Sequence, residues 1–81
     1  MDIKILGPGC PNCQRLEAHV RQAVGELGLT AQVGKVTDVA EIMGYGLMRT
    51  PGLVVNGQVK VAGRVPALDE VKQILAAASR K

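Results

Sequence analysis

The amino-acid sequence predicts an α/β fold with the element order βαβαββα, and three observations carry this prediction. The β-forming residues 3–6 are followed by Gly-Pro-Gly at 7–9 and then by apolar positions at helical spacing. Asn56-Gly57 separates two β-rich runs, which predicts a hairpin because a type I′ turn needs positive φ at both central residues. After the hairpin, apolar residues return to helical spacing.

Local signals set the bounds of each element. Proline suits the first helical position, and Asp38 followed by Glu41 favours a helix start. The expected elements are a strand at 3–6, a helix from about Pro11 to Leu27, a strand at 31–36, a short helix from Asp38 to 44–46, hairpin strands at 52–55 and 58–61, and a helix opened by Pro66.

The apolar positions of the helices are expected to form stripes that face the core. For Tyr45, a core position and a position beside the cysteines both stay open, and Met43 and Met48 are expected to fill the core or the rim of a site. The stripes are Leu16, Val20, Ala23, Val24 and Leu27 in the first helix; Val39, Ile42 and Met43 in the second; and Leu68, Val71, Ile74, Leu75 and Ala78 in the third.

The composition fits one domain over residues 1–81 with an aliphatic core. Hydrophobic residues make up 47% of the chain, with one Tyr and no Phe or Trp. The net charge is +3, and the basic residues are scattered, which disfavours nucleic acid as a partner. Neither a secretion signal nor an apolar run of membrane-spanning length is visible, so we expect a cytoplasmic protein with no membrane partner.

The only two cysteines, Cys10 and Cys13, stand at the predicted junction of strand and helix. Free N–H groups at a helix start stabilise a thiolate. Cysteines in Cys-X-X-Cys motifs therefore have pKa values of about 3.5 to 7.5, whereas a free cysteine has a pKa of about 8.5. Cys13 lies on the apolar stripe, three residues before Leu16. We therefore expect Cys13 to face the core while Cys10 stays accessible.

The cysteine pair allows three interpretations: redox chemistry, metal binding, or inert or structural cysteines. A disulfide that closes so short a loop constrains the unfolded chain little, so stability is a poor reason for it. Zinc normally takes four N or S ligands, whereas the chain offers Cys10, Cys13 and His19. His19 lies about 9 Å further along the helix axis and is expected to be a solvated helix residue. Redox chemistry is favoured; the alternative is a module that captures or delivers a soft metal ion with Cys10 and Cys13.

Three segments together resemble the thioredoxin-like superfamily. Residues 6–13 read Leu-Gly-Pro-Gly-Cys-Pro-Asn-Cys, residues 45–51 read Tyr-Gly-Leu-Met-Arg-Thr-Pro, and Gly63 follows the fourth predicted strand. Within the superfamily, the chain is most similar to the small archaeal and bacterial thioredoxin- or glutaredoxin-like redox proteins. The resemblance implies a four-stranded mixed sheet with helices on both faces, and the activity of a thiol–disulfide oxidoreductase.

The resemblance also implies roles for individual residues. By this resemblance, Cys10 is expected to attack a target disulfide and Cys13 to resolve the mixed disulfide. Pro51 is a cis proline beside the sulfurs, and the backbone of Thr50 offers hydrogen bonds to a substrate strand. Protein disulfides are the expected substrates and an upstream disulfide reductase is the expected electron donor, with no bound cofactor or metal. The expected substrate-binding residues are Pro11, Asn12, Thr50, Pro51 and Gly63.

The chain departs from its larger relatives at three points. Full-length thioredoxins have Trp before the first cysteine and a buried acid in an early strand that assists proton transfer. This chain has Gly9 before the first cysteine and only Asp2 and Lys4 near the first strand, so the sequence assigns no proton acceptor. Residues 62–65 read Ala-Gly-Arg-Val and lack the glycine pair with acidic residues by which glutaredoxins hold glutathione.

Overall fold

The computed structural model describes residues 1–46 and 49–79, and the order of its elements confirms the predicted βαβαββα arrangement. Met48 and the last two residues, 80–81, lie outside the described residues. None of the helices in the described residues is long and apolar enough to cross a membrane. The elements are β1 (Asp2–Leu6), α1 (Pro11–Leu27), β2 (Gln32–Val36), α2 (Val39–Gly44), β3 (Gly52–Val55), β4 (Gln58–Ala62) and α3 (Leu68–Ser79).

The four strands form one mixed sheet in the order β2-β1-β3-β4. β1 pairs in parallel with β2, so that Ile5 lies opposite Lys35. β1 also pairs antiparallel with β3, which pairs antiparallel with β4. Leu6 at the end of β1 lies opposite Gly52 at the start of β3. The cysteine motif after β1 and the Thr50-Pro51 segment before β3 therefore meet at the same edge of the sheet.

The core has two layers, one on each face of the sheet, because successive side chains of a strand point to opposite faces. α1 and α3 pack together on one face, and α2 covers a smaller cluster on the other. The predicted mixed sheet with helices on both faces is thus confirmed. The first layer contains Ile3, Ile5, Leu16, Val20, Ala23, Leu53, Val55, Val61, Val71 and Leu75, and the second contains Leu6, Val36, Ile42 and Val54.

The hairpin between β3 and β4 has the predicted turn. Asn56 has a φ of 51° and Gly57 a φ of 81°, so both central residues lie in the left-handed region that a type I′ turn needs. The Asn56 side-chain oxygen also accepts a hydrogen bond from the backbone N–H of Asp2 at 2.9 Å. This bond ties the turn to the start of β1, at the edge of the sheet opposite the cysteines.

The prediction that Val39, Ile42 and Met43 form a buried face is wrong for two of the three residues. Ile42 is buried, but Val39 is 60% exposed and Met43 is 66% exposed. α2 has six residues, fewer than two turns, and buries only one of its apolar residues. Tyr45 takes the core position: it packs against the second layer, and its hydroxyl accepts a hydrogen bond from Lys4 Nζ at 3.4 Å.

Three further expectations are corrected around α1 and α3. Leu27 is 37% exposed because it is the last residue of α1, and Gly28 caps the helix directly after it. Pro66 does not open α3, which begins two residues later at Leu68. The Pro66 carbonyl oxygen instead lies 2.9 Å from Nδ1 of His19. His19 is therefore half-buried and bonded to the loop before α3, rather than solvated.

Candidate active site

Cys10 caps the N-terminus of α1. Its backbone is extended, with φ −67° and ψ 163°, and its sulfur accepts a hydrogen bond from the backbone N–H of Cys13 at 3.2 Å. Its carbonyl oxygen accepts another from Gln14 at 3.0 Å, and Pro11 occupies the start of the helix as predicted. Cys10 is half-buried. The helix start thus holds the Cys10 sulfur in place and leaves part of the side chain accessible.

Cys13 faces the core, as predicted, and is only 4% exposed. It forms a disulfide with Cys10, and the two Cα atoms are 5.0 Å apart. The disulfide therefore joins one accessible sulfur and one buried sulfur. The reversible formation of this bond interconverts a dithiol and a disulfide with the transfer of two electrons.

Gly7 makes room for the buried sulfur at the end of β1. Its N–H donates to the carbonyl oxygen of Val36 at 2.9 Å, which fixes its backbone beside β2. A β-carbon built at Gly7 would overlap the sulfur of Cys13 and would lie 3.9 Å from Cβ of Thr50. Gly7 is thus the point at which α1, β1 and the Thr50-Pro51 segment come together.

The Thr50-Pro51 peptide bond is cis, as the resemblance implies. Thr50 is exposed and Pro51 is buried. The Pro51 carbonyl oxygen accepts a hydrogen bond from the N–H of Gly63 at 2.9 Å. Gly63 has a φ of 79°, and a β-carbon there would lie 3.0 Å from Cβ of Arg49. Glycine suits this position because it permits both the positive φ and the close approach of Arg49.

The residues predicted for the site lie at one edge of the sheet. Gly7 lies between the cysteine motif and Thr50. The hydrogen bond from the Gly63 N–H to the Pro51 carbonyl oxygen brings the segment after β4 to the same edge. Pro11 and Asn12 are exposed in the first turn of α1. In chain order, the predicted residues are Cys10, Pro11, Asn12 and Cys13 at the start of α1, Thr50 and Pro51 before β3, and Gly63 after β4.

A pocket of about 80 Å³ lies beside Cys13, and sequence reasoning did not find its charged residues. Glu17 and Lys35 line it and form an ion pair, with Oε1 and Nζ 3.3 Å apart. Arg21 Nε donates to the other carboxylate oxygen of Glu17 at 2.9 Å. This hydrogen bond is the main cause of a lowered pKa of Glu17; desolvation opposes it and Lys35 adds to it. Glu17 is therefore ionised at neutral pH.

The sulfurs of Cys10 and Cys13 are the atoms at this edge of the sheet that suit a soft metal ion. Within residues 1–46 and 49–79, no group of three His, Cys, Asp or Glu side chains is placed to hold a metal ion. His19, the third candidate ligand in the sequence, has Nδ1 beside the Pro66 carbonyl oxygen.

Known proteins match this chain over nearly its whole length. A family model described as the thioredoxin domain matches residues 1–76. The chain belongs to the thioredoxin-domain family. A protein named thioredoxin from Methanothermobacter thermautotrophicus is 47% identical over 75 residues, which cover 93% of this chain and 97% of that protein. Another protein named thioredoxin, from Methanocaldococcus jannaschii, is 40% identical over 73 residues, which cover 90% of this chain and 84% of that protein.

As a member of the thioredoxin family with a cysteine pair at bonding distance, the chain is a thiol–disulfide oxidoreductase. Residues 10–13 are its CXXC motif. The predicted family, fold class and type of activity are therefore confirmed.

Proposed function

We propose that this thioredoxin-domain protein reduces protein disulfides, with Cys10 as the nucleophile and Cys13 as the resolving thiol. The difference in exposure between the two residues supports these roles, because Cys10 is half-buried and Cys13 is 4% exposed. A folded target can reach Cys10, whereas Cys13 is placed to react with a sulfur already bonded to Cys10. The backbone N–H of Cys13, which donates to the Cys10 sulfur at the start of α1, favours the thiolate form of Cys10.

The reaction has two exchange steps. In the first, the Cys10 thiolate attacks one sulfur of the target disulfide; a bond forms between protein and target, and the second target sulfur leaves and takes up a proton. In the second, Cys13 loses its proton and attacks the Cys10 sulfur; the mixed disulfide breaks, and the first target sulfur leaves and is protonated. The target gains two electrons, and the protein is oxidised to the Cys10–Cys13 disulfide.

The proposed substrate surface surrounds Thr50. Because Thr50 is exposed next to the cysteines, its backbone can bond to an extended substrate segment in the manner of an added strand. Pro51 has no N–H of its own to leave unpaired beside such a segment. Pro11, Asn12 and Gly63 form the proposed rim, the first two on the exposed first turn of α1.

We also propose that residues 1–81 form one domain and that the protein is cytoplasmic. Its partners are protein disulfides and an upstream disulfide reductase, which returns two electrons to the Cys10–Cys13 disulfide. We propose no bound cofactor and no nucleic-acid or membrane partner. The scattered basic residues and the likeness to two proteins named thioredoxin over most of their length support it.

Trapping of a mixed disulfide with insulin tests the proposed roles. Cys13→Ser should accumulate a covalent adduct, because attack by Cys10 remains possible while resolution is lost. Cys10→Ser should form no adduct, and the double variant is the blank. Mass spectrometry under non-reducing conditions reads the outcome. An adduct on Cys10→Ser alone reverses the two roles, and a wild-type protein that leaves insulin oxidised contradicts the reductase.

A further inference from the structure

The resolving step needs a proton acceptor close to a buried sulfur. This inference rests on the proposed function, in which Cys13 is the resolving thiol. Cys13 is 4% exposed, and burial disfavours the charged thiolate relative to the thiol. Attack on the mixed disulfide requires that thiolate, so a nearby group that takes the proton accelerates the step.

The ionisable residues of β1 are on the wrong face of the sheet for this purpose. Asp2 and Lys4 alternate with Ile3 and Ile5, which pack under α1 and α3. Lys4 Nζ lies against the hydroxyl of Tyr45 on the α2 side. The sheet therefore separates both side chains from α1, where Cys13 lies.

Cys13 and Glu17 line the same pocket. Its volume of about 80 Å³ exceeds the roughly 10–15 Å³ that a cavity needs to hold one water molecule, so it has room for water. Cys13 and Glu17 are four residues apart on α1, so their side chains share one face of the helix. Lys35 reaches the same pocket from β2, because its partner in the sheet, Ile5, points to the α1 face.

The charged groups around the Cys13 pocket belong to α1 and β2. α1 contributes Glu17, with Arg21 bonded to it from the solvent side, and β2 contributes Lys35. The loop between β1 and α1 brings only glycines to the pocket. From the Thr50 side, the nearest charged side chain along the chain is Arg49, which lies against Gly63. Of the residues that line the pocket, Glu17 carries the single carboxylate.

We propose that Glu17 accepts the proton of Cys13 through water in this pocket, and that Lys35 positions the Glu17 carboxylate for this transfer. The proton leaves the Cys13 sulfur for a Glu17 oxygen, and the Cys13 thiolate then attacks the Cys10 sulfur of the mixed disulfide. The departing target thiolate takes a proton from solvent, and Glu17 returns its own proton to solvent. Glu17 is neutral after the transfer, and the positive charge of Lys35, which lines the same pocket, then stabilises the Cys13 thiolate.

The test follows both steps with a chromogenic aromatic disulfide, dithiobis(nitrobenzoate), mixed with the reduced protein. The first coloured thiolate is released by attack of Cys10, and the second by resolution through Cys13. Glu17→Gln should slow the second release by at least about tenfold at neutral pH and leave the first unchanged. Its second release should also rise more steeply with pH than that of the wild type, because hydroxide replaces the lost acceptor.

Three variants make the result specific. Glu26→Gln removes an exposed carboxylate of the same helix, one bonded to Gln22 and Lys72, and should leave both releases unchanged. Glu17→Asp should restore part of the lost rate. Lys35→Met keeps the carboxylate but removes its partner across the pocket, and should slow the second release alone. Thermal melts identify any variant that has lost its fold.

The outcomes separate this inference from the proposed function. Wild-type kinetics of the second release in Glu17→Gln, or equal slowing of both releases in folded Glu17→Gln, overturns the role of Glu17. Wild-type kinetics of the second release in Lys35→Met overturns the positioning role of Lys35. Cys13→Ser should stop after one coloured thiolate. Release of two by Cys13→Ser would instead overturn the assignment of Cys13 as the resolving thiol.

Discussion

Gly7 and Cys13 are in direct contact, and a β-carbon at Gly7 would overlap the Cys13 sulfur. The contact sets how closely the first turn of α1 approaches the end of β1. Glycine at position 7 therefore allows the second cysteine to be buried against the sheet while the first stays at the surface. Glycine is needed at position 9 for another reason, because residues with a β-carbon rarely adopt its φ of 96°.

We expect Gly7→Ala to destabilise the oxidised protein by about 1–3 kcal/mol, because an added methyl group has no room beside the disulfide. Urea unfolding of the oxidised protein measures this loss. The control is Gly25→Ala in α1, where an added β-carbon meets nothing within 4 Å; it should stabilise the helix by up to about 1 kcal/mol. Equal stability of Gly7→Ala and wild type would contradict the contact.

The two thiols of the reduced protein should differ in reactivity. Cys10 caps α1 and is half-buried, whereas Cys13 is buried. We expect the remaining thiol of Cys13→Ser, which is Cys10, to react with iodoacetamide faster, with a pKa below the value of about 8.5 for free cysteine. Alkylation rates against pH for Cys13→Ser and Cys10→Ser measure both quantities. Equal rates and the pKa of free cysteine in both variants would contradict this asymmetry.

Local sequence signals correctly predicted the start of α1 and the hairpin between β3 and β4. Pro11 marked the start of α1 and Asn56-Gly57 marked the hairpin, because each depends on backbone preferences of a few adjacent residues. The placement of Cys13 and Thr50 on either side of Gly7 followed from the resemblance to a known family, since the two residues are far apart in the chain. The burial of Met43 was predicted wrongly because helical spacing does not show how much of a short helix reaches the sheet.

The ion pair between Glu17 and Lys35 shows what the sequence could not give. Helical spacing places Glu17 near Cys13, but it does not tell which strand lies across from them. The parallel register of β1 and β2, with Ile5 opposite Lys35, brings the lysine to the α1 face. From the sequence alone, Lys35 is indistinguishable from an ordinary solvated lysine until its partner Glu17 is known.

The reduced protein should bind zinc weakly. Two thiolates are too few for the four N or S ligands that zinc normally takes, and His19 is bonded to the Pro66 carbonyl two turns along α1. Calorimetry of the reduced protein with Zn²⁺ should give an affinity weaker than micromolar, and His19→Ala should not change it. A tight one-to-one complex that both single cysteine variants lose, together with no reduction of insulin, would favour the metal-binding module instead.

Pro51 should be needed for disulfide exchange more than for folding. Pro51 is buried, and its carbonyl oxygen accepts a hydrogen bond from the Gly63 N–H. Pro51→Ala adds a backbone N–H to the proposed substrate surface and removes a buried ring next to Thr50 in the chain. Small shifts in the placement of a substrate lower reaction rates strongly, so we expect reduction of insulin to slow by roughly tenfold or more.

Pro8 provides the matched control for this substitution, because it is exposed in the loop between β1 and α1 and is separated from Cys10 by only one residue. Pro8→Ala should keep near wild-type reductase activity, which distinguishes the role of Pro51 from a general need for proline near the site. Circular dichroism should show that Pro51→Ala retains its helices. An active Pro51→Ala variant would contradict the proposed role, since the added N–H and the lost ring would then leave the substrate surface unaffected.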